Sequence, residues 1–225
     1  MKYIIKSTEP QSIIDWKNLA NDDWQPSWDN LMNPQKGTLR ESLVEEQGYI
    51  CCYCQQRIDT STRTEIEHII TREECTRLGN EALKITYTNL IASCEGNRPP
   101  SRHVEIDKDR HCNNFRSNRS LLISPLDINC EDEFFYDFQG VMHGKTHNAT
   151  ITIENLNLKV LKDYRKAKIT GVFYEADGIT PIIFATEEKD QLFSYYQNKS
   201  NIDGDNKMKF PEFAAVIINV LNQLP

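Results

Sequence analysis

Four of the seven cysteines in this 225-residue chain constrain its fold more than any other feature. Cys51 and Cys54 form a C-x-x-C, and Cys94 and Cys112 follow far downstream. The cysteine count is odd, and no basic segment followed by an apolar one opens the sequence. A reducing, cytoplasmic setting is therefore expected, where clustered cysteines bind metal rather than form disulfides. Four thiolates in a tetrahedron satisfy Zn²⁺ and leave no position for water, so such a site is structural. The gap from Cys94 to Cys112 is long where a second C-x-x-C is expected, and His103 or His111 could replace either cysteine as a ligand. Cys52, Cys75 and Cys130 fit no ligand pattern and read as small core residues.

The remaining composition, 39% apolar and 26% charged, is that of a polar globular protein. The longest apolar runs, such as Pro181 to Ala185, are far shorter than the ~20 residues of a membrane span, so no membrane partner is expected. A net charge of −7 argues against a nucleic-acid partner unless the cations are segregated. Two runs segregate them. One runs from Arg98 to Arg119; the other carries Lys159, Lys162, Arg165, Lys166 and Lys168 against Asp163.

Helical patterns dominate the first fifty residues. Pro10 suits the first turn of a helix through Leu19, and Thr38 with Glu41 reads as the capping box of a second helix ending at Gly48. Residues 49–70 read as two strands, "YICCYCQQRI" and "RTEIEHII", joined by the polar turn at Asp59–Thr62. Thr71 as N-cap with Glu74 three residues on predicts a third helix. "NATITIENLNL" alternates like a strand and leads into a cationic helix through Lys168. At the C-terminus Phe213, Val216, Ile217, Val220, Leu221 and Leu224 share one helical face, readable as core or as a partner-docking stripe.

"EIEHII" sets Glu67 beside His68 between the cysteine pairs, with "YTNLIASC" and "CNNFR" downstream. In that order these motifs resemble the HNH endonucleases. More narrowly, "CCYCQQRI", "IEHI", "YTNLIASC", "LISPLDINCEDEFFY" and "ITIENLNLKVLKDYR" resemble the bacterial HNH family that includes PtuB, the nuclease subunit of Septu anti-phage systems, some of them attached to retrons. The resemblance covers most of the chain. It implies an α+β, mostly helical fold, in which a zinc-pinned ββα-metal core over residues 48–129 sits between helical flanks at 1–47 and 130–225, the latter with a short strand segment.

It also implies roles. His68, neutral at physiological pH, is the general base. Glu67 binds a catalytic Mg²⁺ or Mn²⁺, which stabilises the charge of the phosphorane. Asn89 holds the His68 loop. Asn113, or Asn114 one residue on, supplies the third metal-site position, where the family name has His. Arg116 contacts the scissile phosphate. Zinc on Cys51, Cys54, Cys94 and Cys112 pins the fold. The implied partners are a PtuA-like ABC/SMC-type ATPase and, in retron-attached examples, a reverse transcriptase with its msDNA. DNA is the expected substrate, with RNA such as tRNA as the alternative. A reading from another class is a non-catalytic zinc module that docks nucleic acid or protein.

Overall fold

A computed structural model describes residues 1–97 and 107–225. Arg98, Arg102 and His103 lie outside the described residues, and with them part of the first cationic run. Helix α1 (Gln11–Lys17) and helix α2 (Gln35–Glu46) form the N-terminal layer. Strand β1 (Glu65–His68), helix α3 (Arg72–Arg77), strand β2 (Leu90–Ser93) and the short helix α4 (Asn113–Arg116) follow. A second hairpin, β3 (Phe134–Tyr136) with β4 (Met142–Gly144), precedes helices α5 (His147–Asn155), α6 (Lys162–Phe173), α7 (Thr186–Gln197) and α8 (Ala214–Leu221). Among the described residues helix outweighs strand, and the strands form two small antiparallel sheets. No helix among the described residues is long and apolar enough to cross a membrane.

Helix α2 begins one turn earlier than its apparent capping box. Thr38 lies inside it, with its hydroxyl turned back to the Pro34 carbonyl at 3.4 Å. Good helix formers at Gln35 and Lys36 carry the helix back to the proline. Its end matches expectation: Gly48, at φ +61°, allows Tyr49 N–H to bond Val44 O at 3.0 Å, a left-handed termination. A Cβ there would sit 2.7 Å from the Phe210 ring.

The two expected strands of residues 49–70 do not pair with each other. β1 pairs instead with β2, in the register Glu65↔Ser93, Ile66↔Ala92, Glu67↔Ile91 and His68↔Leu90. Residues 49–58 make only the bridge Ile50↔Arg57, because the chain must turn sharply between them to bring Cys51 and Cys54 together. Alternation identifies a strand but not its partner.

"NATITIENLNL" is helix α5 and its exit, not a strand. Thr146 caps it by accepting from Ala149 N–H at 3.2 Å. Ala149, Thr152, Ile153 and Leu156 are all buried, at the i, i+3, i+4, i+7 spacing of a helix face. Buried Thr152 also accepts from Ile123 N–H at 3.1 Å. Tertiary packing outweighs the β-branched local preference.

The C-terminal stripe is core. Phe213, Val216, Ile217, Val220 and Leu221 are all buried, with α8 packed against α6, α7 and β3. Docking of a partner through that stripe is therefore corrected to packing. The second cationic run divides likewise: Lys159, Lys162 and Lys166 are exposed, while Arg165 is buried and donates to Gly140 O at 2.7 Å and Leu158 O at 3.0 Å.

Both flanks support the centre. Gln47, just after α2, bonds both backbone groups of Ala92 on β2, at 2.8 and 2.7 Å, which occupies the open edge of that strand. From the other side Gln55 O accepts from Phe213 N–H at 3.1 Å, and Gln55 Oε1 accepts from Ala215 N–H at 2.7 Å. One cluster of buried apolar side chains includes residues from all three segments, from Met1 to Leu221.

Candidate active site and metal centre

Cys51 and Cys54 sit on a knuckle closed by Cys51 N–H to Gln56 O at 2.9 Å and Gln55 N–H to Cys51 O at 3.0 Å. Cys94 extends from the end of β2, and Cys112 immediately precedes α4. The ends of the intervening segment are joined at Gly96, whose carbonyl accepts from His111 N–H at 3.2 Å. A Cβ on Gly96, at φ +57°, would lie 2.0 Å from the His111 carbonyl oxygen, so only glycine fits that crossing. The four sulfurs lie within 4.8 Å of one another. Cys51–Cys112 and Cys54–Cys94 are separated by 3.9 and 3.7 Å. A tetrahedron with Zn–S bonds of about 2.3 Å has edges of about 3.8 Å. The residues therefore fit zinc, and Cys51, Cys54, Cys94 and Cys112 would hold it.

His111 is not needed as a ligand. Its Nδ1 lies 3.1 Å from Cys112 Sγ, where, protonated, it would donate to the thiolate of a zinc-bound Cys112 and offset its charge. Cys94 N–H does the same for Cys51 Sγ at 3.3 Å. Although burial opposes it, hydrogen bonds from the neighbouring cysteines hold Cys51 well below the usual thiol range. Burial pushes Cys54 and Cys112 up. Four thiolates so close together require a cation. Cys52, Cys75 and Cys130 are buried as core residues.

His68 ends β1 and is 6% exposed. Its Nε2 lies 2.9 Å from the Lys84 carbonyl. A carbonyl only accepts, so Nε2 carries the proton and Nδ1 keeps its lone pair. Trp28 meets the imidazole edge-on, with ring centroids 4.5 Å apart. Burial, with help from Arg72, Arg116 and Lys84, lowers His68 from 6.5 to about 4. Asn89 fixes both sides of this arrangement. Its carboxamide accepts from Ile70 N–H at 2.8 Å and donates to Ile70 O at 3.1 Å and Leu83 O at 3.0 Å. The strand exit after His68 and the turn carrying Lys84 are thereby clamped together.

The His68 shift has a sign that stability measurements can check. A proton enters the unfolded chain near pH 6.5 and the folded one only near pH 4. The His68 contribution to stability is therefore flat above 6.5 and falls by about 3 kcal/mol as the pH drops from 6.5 to 4. In His68→Gln that component is absent. Urea midpoints of the two proteins should diverge in this window; parallel pH profiles would remove the shift.

Glu67, on the opposite face of β1, is buried against Arg116. Arg116 Nη1 donates to Glu67 Oε1 at 2.6 Å and to His68 O at 2.7 Å, and Nη2 donates to Ile69 O at 2.6 Å. Tyr53 O–H donates to the same Oε1 at 3.1 Å. Burial raises the Glu67 carboxyl above its usual range against the pull of Arg116 and Tyr53. The Arg116 guanidinium stays charged, since Tyr53 and Glu67 more than offset its burial. Arg116 thus ties α4 to the end of β1, forming the strand–strand–helix unit, and its donors point inward rather than to solvent. Arg116→Met strands a buried carboxylate, with an expected loss of about 3–5 kcal/mol. Adding Glu67→Gln should recover part of it in thermal unfolding. A loss in nucleic-acid affinity with unchanged stability would instead assign Arg116 to phosphate.

Of the two asparagines, Asn114 donates to Gly96 O at 3.4 Å, while half-buried Asn113 makes no side-chain hydrogen bond among the described residues. Asn113 is thus the one free to offer its carbonyl oxygen. Glu67 Oε1 is occupied, and among the described residues the four cysteines are the only group of three or more His, Cys, Asp or Glu ligand atoms this close together. These residues build no second all-protein metal cage.

No protein-family profile matches the sequence. The chain is similar to an Escherichia coli protein named "Retron Ec83 putative HNH endonuclease", 26% identical over 124 residues, 52% of this chain and 46% of that protein. The chain thus spans under half of that relative's length. The similarity supports an HNH-type nuclease. Sequence reasoning missed Trp28, Lys84 and Tyr53, which surround His68 and Glu67 from distant segments. Only Trp28 carried a signal, as one of two tryptophans, with Trp24, in a mostly polar stretch.

Proposed function

We propose that this chain is an HNH nuclease that hydrolyses phosphodiester bonds, with His68 as general base. The observation that carries this reading is the single tautomer of His68. Nε2–H is held by Lys84 O, which leaves Nδ1 to accept a proton from water. An imidazole at about 4 is reliably neutral but a weak base. A phosphodiester anion beside it offsets the charges of Arg72 and Lys84 and raises it toward the working range. As the proton arrives, Lys84 O remains bonded to the imidazolium and stabilises it. Asn113, with the free oxygen of Glu67, is the proposed holder of Mg²⁺ or Mn²⁺. Such an ion stabilises phosphorane charge, and it is commonly held by one or two protein oxygens together with substrate phosphates and water.

The proposed setting is an anti-phage complex with a PtuA-like ATPase and, where a retron is attached, its reverse transcriptase and msDNA. The name of the retron Ec83 relative supports the retron context. The near-complete coverage of His68 favours a second reading, a non-catalytic zinc module. Purified zinc-loaded protein, alone and with the ATPase, separates the two when incubated with plasmid DNA and total RNA, with and without Mg²⁺ or Mn²⁺. Divalent-dependent cutting that His68→Ala loses supports the nuclease. Equal cutting by both proteins removes His68 as the base and places the active site elsewhere; no cutting under any condition returns the chain to a binding role.

A further inference from the structure

Beside His68, residues from three elements converge on one ring. Trp28 comes from the connection between α1 and α2, Lys36 from the first turn of α2, and Arg72 from the start of α3. The Lys36 Nζ lies 4.7 Å, and the Arg72 guanidinium carbon 5.9 Å, from the centroid of the Trp28 ring. The same ring meets His68 at 4.5 Å. Neither cation has an ion-pair partner among the described residues, although the protein carries a net charge of −7. The carboxylates nearest in sequence to Arg72 are engaged elsewhere: Glu73 accepts from Asn118, and Glu74 is paired with Arg77 at 2.5 Å. Two uncompensated cations beside a neutral imidazole, on an acidic protein, form an anion site whose charge has no internal use. Cation–π contact restrains both side chains without neutralising them.

We propose that Lys36 and Arg72, held on the Trp28 ring, are positioning residues that seat a nucleic-acid phosphodiester next to His68; this rests on the nuclease reading above. The ligand chemistry is the phosphate backbone, which carries no base sequence. The subsite accounts for how an acidic chain holds a polyanion after Arg116, the expected phosphate contact, is turned inward.

The test measures affinity for a short fluorescent duplex DNA, and separately for a hairpin RNA, by anisotropy across a salt series without added divalent ions. Full-length zinc-loaded protein is used throughout. Lys36→Ala and Arg72→Ala should each reduce the slope of log affinity against log salt by about one, and the double variant by about two. Charge-retaining Lys36→Arg and Arg72→Lys should restore it. Zinc content and thermal midpoint should stay at wild-type values, because neither side chain is buried. In cleavage assays the double variant should raise KM by roughly tenfold with kcat little changed. Slope loss confined to DNA or to RNA identifies which backbone the subsite takes. A wild-type slope in the double variant, with cleavage intact, overturns the subsite and leaves the nuclease standing. Wild-type protein that neither binds nor cuts removes both.

Discussion

His68→Ala is expected to keep its zinc and its fold and to lose phosphodiester cleavage by at least ~100-fold, the scale of removing a general base. The loss should fall on kcat, since the imidazole acts on the attacking water rather than anchoring the substrate. The geometry makes the residue hard to replace. Lys84 O fixes the proton on Nε2, Trp28 sets the ring plane, and Asn89 clamps the two backbone segments that hold them. Asn89→Ala should cost less catalytically, because it orients and does not react. Truncating His68 also leaves a gap beneath Trp28, so His68→Gln, which can still donate to Lys84 O, is the better-packed control. Kinetics are read beside zinc content and melting temperature. Normal cutting by both variants would place the active site elsewhere.

Loss of a zinc ligand should have the largest effect on folding. Cys51→Ala and Cys112→Ala are each expected to yield metal-free, largely insoluble protein, because structural zinc contributes on the order of 10 kcal/mol to domains of this kind. The ion would join segments that are otherwise held by a few backbone hydrogen bonds, the Arg116 contacts and apolar packing. The knuckle at Cys51 and Cys54, the end of β2 at Cys94 and the start of α4 at Cys112 meet at the four sulfurs. Cys112 itself sits at φ 54° and ψ −139°, a backbone state that persists only when its surroundings hold it. Cys52→Ala and Cys130→Ala provide the contrast. Both residues are buried outside the cluster, so both variants should stay soluble and keep their metal. Elemental analysis of wild-type protein should show one zinc per chain. Well-folded protein without zinc would remove the structural role.

What the sequence determined by itself was local or tied to a fixed ligand set. The Cys51-x-x-Cys54 knuckle, the Thr71 cap and the left-handed stop at Gly48 each depend on a few neighbouring residues, so a short window contains the whole cause. The four-cysteine set was legible across a long gap because thiolates have few other uses in a reducing setting. Where two structures satisfied one pattern, the tertiary structure decided. "NATITIENLNL" alternates like a strand, yet it became helix α5 because Ala149, Thr152, Ile153 and Leu156 could all be buried together. β1 took β2 rather than its sequence neighbour once the cysteine knuckle bent residues 49–58 away. Arg116 turned inward because a buried Glu67 required its charge. The grouping of Trp28, Lys36, Arg72 and Lys84 about His68 joins four separate stretches of chain, and no periodicity within any one of them encodes it. Burial and charge pairing are decided by whatever the fold brings within a few ångströms, and that distance has no fixed relation to separation along the chain.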